Sequence, residues 1–306
     1  MSKAAMSKDL MRAPGTARLA VNKTYKLYIG GKFPRSESGR VYAVTDTKDR
    51  PLANAPRGTR KDARDAVVAA RKAFGGWSGA TAYNRGQVLY RVAEMLEARR
   101  EEFATEVAAA EGLGRGKALA LVDASVDRWV WYAGWTDKLA QVAGGANPVA
   151  GPYANWSTPE PTGVVAVLAP QKSSLLGLTS VVAPAIATGN TAVVLASEKA
   201  PLPALAFAEV LGVADVPGGV VNLLSGPVAE VAPWLAAHQD VNAIDLAGAA
   251  HNAGVASVRD LEIASADNLK RVLRPEAKEP DWSADPGVGR MLAFTETRTV
   301  WHPTGN

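Results

Sequence analysis

Few side chains of this 306-residue chain are suited to covalent or metal chemistry. The chain contains no cysteine, which excludes a disulfide, a zinc–thiolate site, an iron–sulfur cluster and a thiol nucleophile within these residues. Its three histidines, His238, His251 and His302, are too scattered in sequence to predict a metal site. We therefore expect no metal ion, and counting alone excludes covalent chemistry through a thiol.

The net charge of the chain is concentrated at its N-terminus. That charge is +4, and residues 1–24 hold five Lys or Arg side chains against one Asp, which leaves the remainder neutral. Nucleic-acid binding needs a basic patch on a folded face, so we expect no nucleic-acid partner and predict a flexible basic arm over 1–24. The arm lacks the apolar core of a signal peptide, and no apolar stretch approaches the roughly 20 residues of a membrane span. We therefore expect a cytoplasmic protein with no membrane partner.

Hydrophobic periodicity predicts a helical region followed by alternating strands and helices. From Lys61 to about Val142 apolar residues recur at helical spacing, and we expect the first helix to stop at the Gly75–Gly76 pair. Beyond residue 160, helices alternate with four buried strands, whose sequences are GVVAVLAP, TAVVLASE, VVNLLSG and AIDLAGA. This alternation is typical of an α/β fold with a doubly wound, mostly parallel sheet, whose ligand crevice lies at the carboxyl ends of the strands.

Taken in order, the segments of this chain resemble the aldehyde dehydrogenase superfamily. The resemblance implies a Rossmann-like, NAD-binding-type domain formed by 25–142 and 160–258, with a small oligomerisation β-element formed by 143–159 and 287–306. It also implies that the catalytic domain is absent and that 259–286 is a linker in its place. The segments that carry the resemblance are KLYIGGKF, DARDAVVAARKAFGGWS, PTGVVAVLAP, APAIATGNTAVVLASEKAPLPAL, VPGGVVNLLSG and HQDVNAIDLAGA.

The resemblance implies that the catalytic groups are missing. Members of this family attack the aldehyde carbonyl with a cysteine, hold the oxyanion with the Asn of a Pro-Trp-Asn sequence, and use the Glu of a Glu-Leu-Gly-Gly segment as general base. This chain has Lys172 in place of that Asn and no counterpart of the Glu-containing segment after Asn252. We therefore expect no catalytic residue and no aldehyde oxidation by the chain alone. Lys172 either fills vacated cofactor or substrate space or points into solvent, and we favour solvent.

The resemblance also implies a weakened NAD site. Where the family has Lys-Pro-Ser-Glu against the adenosine ribose, this chain keeps only Ser197 and Glu198. Where the family has Phe-Thr-Gly-Ser near the pyrophosphate, it keeps only Gly248. These residues and Gly226 are the candidate cofactor-binding residues. Their alternative roles are a capping or surface carboxylate for Glu198 and tight turns for the glycines. We therefore expect no cofactor. Any NAD binding that the chain keeps should be weaker than in the family.

The segments that are preserved favour a role in assembly. We expect a pseudoenzyme, similar to the degenerate second module of two-module aldehyde dehydrogenases, that joins an active paralogue or a second copy of itself and stabilises or regulates it. The expected interface residues are Trp156, Phe294, Val300 and Trp301, on strands with unpaired edges. Two alternatives stay open. One is an NAD-binding subunit that supports aldehyde oxidation with residues supplied by a partner, and the other is an adaptor whose N-terminal arm docks on an acidic surface.

Overall fold

A five-stranded parallel sheet forms the centre of the protein, seen here in a computed structural model that describes residues 23–249 and 257–305. The strand order is β7-β6-β5-β8-β9. The order reverses beside β5, so the predicted doubly wound α/β fold is confirmed. The strands are β5 (Val164–Leu168), β6 (Thr191–Leu195), β7 (Val221–Leu224), β8 (Ala243–Asp245) and β9 (Arg271–Leu273).

Strand β5 shows why the sheet is buried on both faces. Val165 and Val167 belong to the apolar core on one side of the sheet. Val164, Ala166 and Leu168 belong to the core on the other side. Because side chains alternate along a strand, a continuous run of β-branched and small apolar residues supplies both cores at once.

Helices cover both faces of this sheet. One side is packed by α1 (Arg60–Gly79) and α8 (Val228–Ala237), and α9 (Val258–Ala266) packs on α8. The other side holds α2 (Ala82–Glu97), α3 (Arg100–Glu111), α4 (Arg115–Trp135), α6 (Leu176–Ala187) and α7 (Leu202–Val213). None of the helices in the described part of the chain is long and apolar enough to cross a membrane.

Two smaller sheets lie beside the central one. An antiparallel pair joins β1 (Val41–Thr45) to β2 (Pro51–Pro56). A three-stranded sheet has β4 (Tyr153–Pro161) between β10 (Thr295–Pro303) and the short β3 (Gly145–Ala146). The short helices α5 (Leu139–Ala143) and α10 (Gly289–Ala293) precede β3 and β10.

The first helix continues through the glycine pair at which we expected it to stop. Helix α1 ends at Gly79, one turn beyond Gly75–Gly76. Trp77 is buried in this last turn, and its Nε1 donates a 2.9 Å hydrogen bond to the carbonyl oxygen of Ile186. This tertiary contact stabilises the last turn of α1, which the two adjacent glycines would otherwise disfavour.

The prediction that 259–286 is a linker is wrong for residues 259–273. Residues 258–273 form α9 and β9, and β9 pairs with β8 in parallel register from Ala243↔Arg271 to Asp245↔Leu273. Strand β9 is short, lies at the sheet edge and is partly exposed, so its sequence lacks the apolar run that revealed the other strands. The nucleotide-binding-type sheet therefore extends to Leu273 rather than ending at 258.

A buried ion pair fastens the C-terminal segment to the sheet. Arg290, at the start of α10, pairs with Asp245, whose side chain is 1% exposed at the end of β8. The other carboxylate oxygen of Asp245 accepts a 2.9 Å hydrogen bond from the amide of Ala247. Burial raises the pKa of the Asp245 carboxyl, and the Arg290 charge opposes that rise. Such a carboxylate is stable inside the fold only while its cation stays in place.

The Asp245–Arg290 pair predicts a large stability effect. Asp245→Ala leaves a mostly buried guanidinium unpaired and should cost about 3–5 kcal/mol in the free energy of unfolding, measured by urea denaturation. Glu160→Ala is the matched control, because it breaks an exposed pair with Arg298 and should cost less than about 1 kcal/mol. The double variant Asp245→Leu with Arg290→Met should recover most of the loss. Equal losses for the two single variants would contradict this role.

The first described residues are held by a cluster of carboxylates. Lys23, the last basic residue of the predicted arm, lies 3.5 Å from Glu102, 3.7 Å from Glu106 and 3.2 Å from Glu209. Tyr25 donates a 3.1 Å hydrogen bond to Glu106. Burial raises the pKa of Glu106 to about 7, although Lys23 and Tyr25 oppose the shift. The rest of the predicted arm, 1–22, lies outside the described residues.

Glu106 therefore predicts a pH-dependent stability. Between its ordinary pKa near 4.5 and about 7 the folded state holds a proton that the unfolded chain releases, so stability from this group falls as pH rises. Glu106→Gln should raise the melting temperature at pH 8 and leave it nearly unchanged at pH 4. Glu102→Gln is the control with the opposite sign, because Arg99 lowers the pKa of Glu102. A Glu106→Gln variant that melts below the native chain at pH 8 would overturn this assignment.

Candidate functional site

The candidate site lies at the carboxyl ends of β5 and β6, which is the end of the strands at which doubly wound sheets bind their ligands. A cavity of about 710 Å³ opens there and is lined by Gln171, Lys172, Glu198 and Lys199 together with residues 42–47 of β1 and its turn. The two loops that follow the strands form its floor. Lys172 lines this cavity and is also exposed to solvent.

Ser197 and Glu198 tie the two loops together. The Ser197 hydroxyl donates a 2.9 Å hydrogen bond to the carbonyl oxygen of Gln171 and accepts one of 3.1 Å from the amide of Ala200. The Glu198 amide donates to Oε1 of Gln171 at 2.9 Å. All of these bonds lie within the protein, so Ser197 and Glu198 stabilise the two loops by joining them.

The Glu198 carboxylate also caps a helix. Its Oε2 accepts a 2.9 Å hydrogen bond from the amide of Val228, the first residue of α8. A carboxylate at this end of a helix satisfies a free amide and complements the helix dipole. The geometry is therefore that of the capping role that we named as the alternative to ribose binding.

The two candidate glycines are needed where the backbone approaches itself closely. Gly226 has a φ of 145°, which favours glycine, and a Cβ there would lie 3.1 Å from the amide nitrogen of Gly58. A Cβ on Gly248 would collide with the carbonyl oxygen of Ala169 at the end of β5. The 3₁₀ turn Ala247–Ala249 thus packs directly on β5 and offers no side-chain hydroxyl. His251 and Asn252 lie outside the described residues.

Tyr42 is a polar residue of this cavity that sequence reasoning missed. Its hydroxyl is buried and makes no hydrogen bond within the described part of the chain. Burial raises the pKa of Tyr42, and the Glu198 charge raises it further, so the phenol stays protonated. Strand alternation in β1 could have shown that Tyr42 and Val44 share a face, but only the tertiary fold places the hydroxyl at the crevice.

Three of the four candidate interface residues are exposed on the small sheet. Trp156, Val300 and Trp301 are 49%, 41% and 58% exposed. Trp156 lies opposite Val300 in the β4–β10 register. On the other face of the sheet, the rings of Tyr153 and Trp301 meet nearly at right angles with centroids 5.9 Å apart.

Phe294 is the exception, and its prediction as a surface residue is wrong. Its side chain is fully buried in the core. Its carbonyl oxygen accepts hydrogen bonds from the amide of Thr162 at 3.2 Å and from Nδ2 of Asn190 at 2.9 Å. Phe294 therefore holds the start of β10 against the domain, while residues 296–303 of the strand are exposed.

Residues 23–249 and 257–305 contain no group of three or more His, Asp or Glu side chains placed to hold a metal ion. The chain holds no cysteine for covalent attack. Glu111 lines the crevice, and its Oε1 accepts hydrogen bonds from the hydroxyl of Ser174 at 2.6 Å and from the amide of Ser174 at 2.7 Å. Burial raises the pKa of the Glu111 carboxyl, and the bonds from Ser174 oppose that rise.

Comparison with known proteins gives consistent matches. A sequence model described as "Aldehyde dehydrogenase family" matches residues 33–273. Mouse cytosolic 10-formyltetrahydrofolate dehydrogenase is 34% identical over 76% of this chain and 26% of its own length. An Aspergillus niger aldehyde dehydrogenase is 31% identical over 80% of this chain and 48% of its own length. The chain thus spans between about a quarter and a half of these relatives.

Solved structures agree with the sequence matches. The NAD+ complex of Bacillus cereus aldehyde dehydrogenase has a TM-score of 0.74 and 29% identity over 82% of this chain and 50% of that one. HpcC from Thermus thermophilus has a TM-score of 0.75 and 29% identity over 82% of this chain and 47% of that one. The family match ends at Leu273, the last residue of β9, so it covers the whole parallel sheet. The chain belongs to the aldehyde dehydrogenase family.

Proposed function

We propose that this chain is a noncatalytic, cytoplasmic subunit that assembles with a full-length active aldehyde dehydrogenase and stabilises or regulates it. The observation that supports this role is β10. It is a nine-residue edge strand, and every residue from Glu296 to Pro303 is exposed. A long exposed edge strand has free backbone N–H and C=O groups, which favour pairing with a strand of another chain.

The apolar side chains of this sheet strengthen that interpretation. Trp156 and Val300 lie on one face and Tyr153 and Trp301 on the other, all of them 40–60% exposed. Indole and phenol rings are enriched at the buried centres of protein interfaces. Strand pairing would supply affinity, and these aromatic residues would supply the buried contact area.

The absence of a thiol supports the noncatalytic part of the proposal. The family reaction needs a cysteine that forms a bond to the aldehyde carbon, and these 306 residues contain none. At the crevice, Ser197 and Glu198 have internal partners, and the cofactor role is not required to explain them. A partner that brings its own nucleophile is the simplest way for this domain to serve an aldehyde dehydrogenase.

Assembly can be measured directly. The purified chain, mixed with each full-length aldehyde dehydrogenase of its source organism, should form a complex in light scattering coupled to size exclusion. Trp301→Glu should abolish the complex, because it places a charge in the proposed interface. Trp234→Glu is the matched control, since Trp234 is 43% exposed on α8, away from the small sheet.

The outcomes of this experiment separate the alternatives. A chain that remains monomeric in every mixture contradicts the proposal. A self-complex lost in Trp301→Glu would favour assembly of the chain with itself. Removal of 287–306 is a poor test, because it also removes Arg290, Met291 and Phe294, which pack in the core.

We also propose that NAD binding is weak or lost. With the Glu198 carboxylate used as a helix cap, titration of NAD should give no saturable change in tryptophan fluorescence below millimolar concentration. Glu198→Gln should then change the melting temperature without changing the response to NAD. Saturable binding that Glu198→Gln weakens would favour the NAD-binding subunit with residues supplied by a partner.

A further inference from the structure

A second cavity, of about 260 Å³, lies where the C-terminal segment crosses α4 and α6, and it shares no lining residue with the crevice at Glu198. Its inner wall includes Arg128 and Tyr132 of α4, Ser180 of α6 and Trp282 of the crossing segment, all buried. Arg290 completes this wall. The cavity is smaller than the roughly 300–1,000 Å³ of drug-sized ligand sites, so its size limits a ligand to a few heavy atoms.

Arg128 is a buried cation without an anion. Its side chain donates hydrogen bonds of 2.7 and 2.8 Å to the carbonyl oxygens of Trp282 and Ala284, and no carboxylate of the described residues pairs with it. The residue is only 7% exposed. The charge of Arg290, by contrast, is balanced by Asp245. A buried guanidinium that lacks a counter-charge is costly, and a bound anion would remove that cost.

Tyr132 supplies an unused donor at the same wall. Its residue is fully buried, and no group of the described residues accepts a hydrogen bond from its hydroxyl, whose hydrogen-bonding neighbour Arg128 is itself a donor. Burial raises the pKa of Tyr132 to about 12, although Arg128 and Arg290 lower it, so the phenol is protonated at neutral pH. Both arginines are donors only and cannot accept the phenol proton. The Tyr132 hydroxyl and the Arg128 charge therefore lack a carboxylate acceptor within the described residues.

The acidic residues that line this cavity do not provide that acceptor. Glu276, Asp281 and Asp285 are exposed. Asp281 accepts a 2.9 Å hydrogen bond from the amide of Ser283, and Asp285 accepts one of 3.0 Å from Gly287. These carboxylates give the cavity a negative rim, which repels ligands that carry several negative charges more strongly than it repels a single charge.

We propose that this cavity binds a small organic monocarboxylate, with its oxygens on Arg128 and the Tyr132 hydroxyl and its apolar part against Trp282. Two carboxylate oxygens match one guanidinium donor and one phenol donor. Trp282 is held in place by its carbonyl bond to Arg128, by a 3.1 Å hydrogen bond from its Nε1 to Glu279, and by Arg290 lying 5.2 Å from its ring centroid. The site is independent of the assembly proposed above.

Titration with acetate and benzoate tests this site on the full chain at constant ionic strength and pH. The melting temperature should rise saturably with at least one of them, and Trp282 should report binding as a change in fluorescence. Benzamide, which has the shape of benzoate without its charge, should have no effect. Inorganic phosphate should also be ineffective, because a dianion meets the acidic rim.

Tyr132→Phe is the decisive variant because it keeps the ring and removes only the unpartnered hydroxyl. It should raise the dissociation constant about tenfold, as expected when one hydrogen bond to a charged group is lost. Tyr42→Phe is the matched control, since it removes a buried unpartnered hydroxyl from the other cavity and should leave that constant unchanged. The proposal is overturned by no response to either carboxylate, by an equal response to benzamide or phosphate, or by unchanged affinity in Tyr132→Phe.

Discussion

The buried ion pair between Asp245 and Arg290 is the contact on which the arrangement of this protein depends. A carboxylate that is 1% exposed at the end of a central strand is unfavourable without a cation, and the only cation that pairs with it among the described residues comes from the start of α10. That pairing brings Met291 and Phe294 into the core. Strand β10 begins at the next residue, so the ion pair also sets where the exposed strand leaves the domain.

The same C-terminal segment covers part of the core on one face of the central sheet. Helix α6 is buried along its whole length, and the C-terminal segment contributes to its cover through α10 and Trp282. Arg128 holds that segment through two carbonyl oxygens. The relatives are about two to four times longer than the part that they share with this chain. Within the described residues, the sheet and its helices nevertheless form one continuous core on each face.

The sequence predicted the parts of the fold that depend on local pattern. The four apolar strands and their parallel, doubly wound arrangement follow from β-branched runs separated by helices, as in β5 and β6. Strand β9 was missed because a short edge strand needs no apolar run, and its pairing partner is 28 residues away at Ala243↔Arg271. Helix α1 passes its glycines because of a contact with Ile186, more than a hundred residues along the chain.

The candidate site was predicted less well for a related reason. Sequence could place Ser197 and Glu198 after a strand, but it could not show that the Glu198 carboxylate caps α8, since that bond joins residues 30 positions apart. It also could not separate Phe294 from Trp301, because both are aromatic residues in one β-prone segment. The Phe294 side chain is buried in the core and its carbonyl oxygen accepts hydrogen bonds from Thr162 and Asn190, whereas Trp301 lies farther along the exposed strand.

Hydrogen–deuterium exchange at β10 tests the central claim most directly. In the presence of an excess of full-length aldehyde dehydrogenase, the amides of alternate residues over 296–303 should become protected, because strand pairing uses every second N–H on the open edge. The amides of the buried strand Val164–Leu168 should exchange at an unchanged rate. Unchanged exchange over 296–303 in every such mixture would contradict the account, since the exposed strand would then have no partner to join.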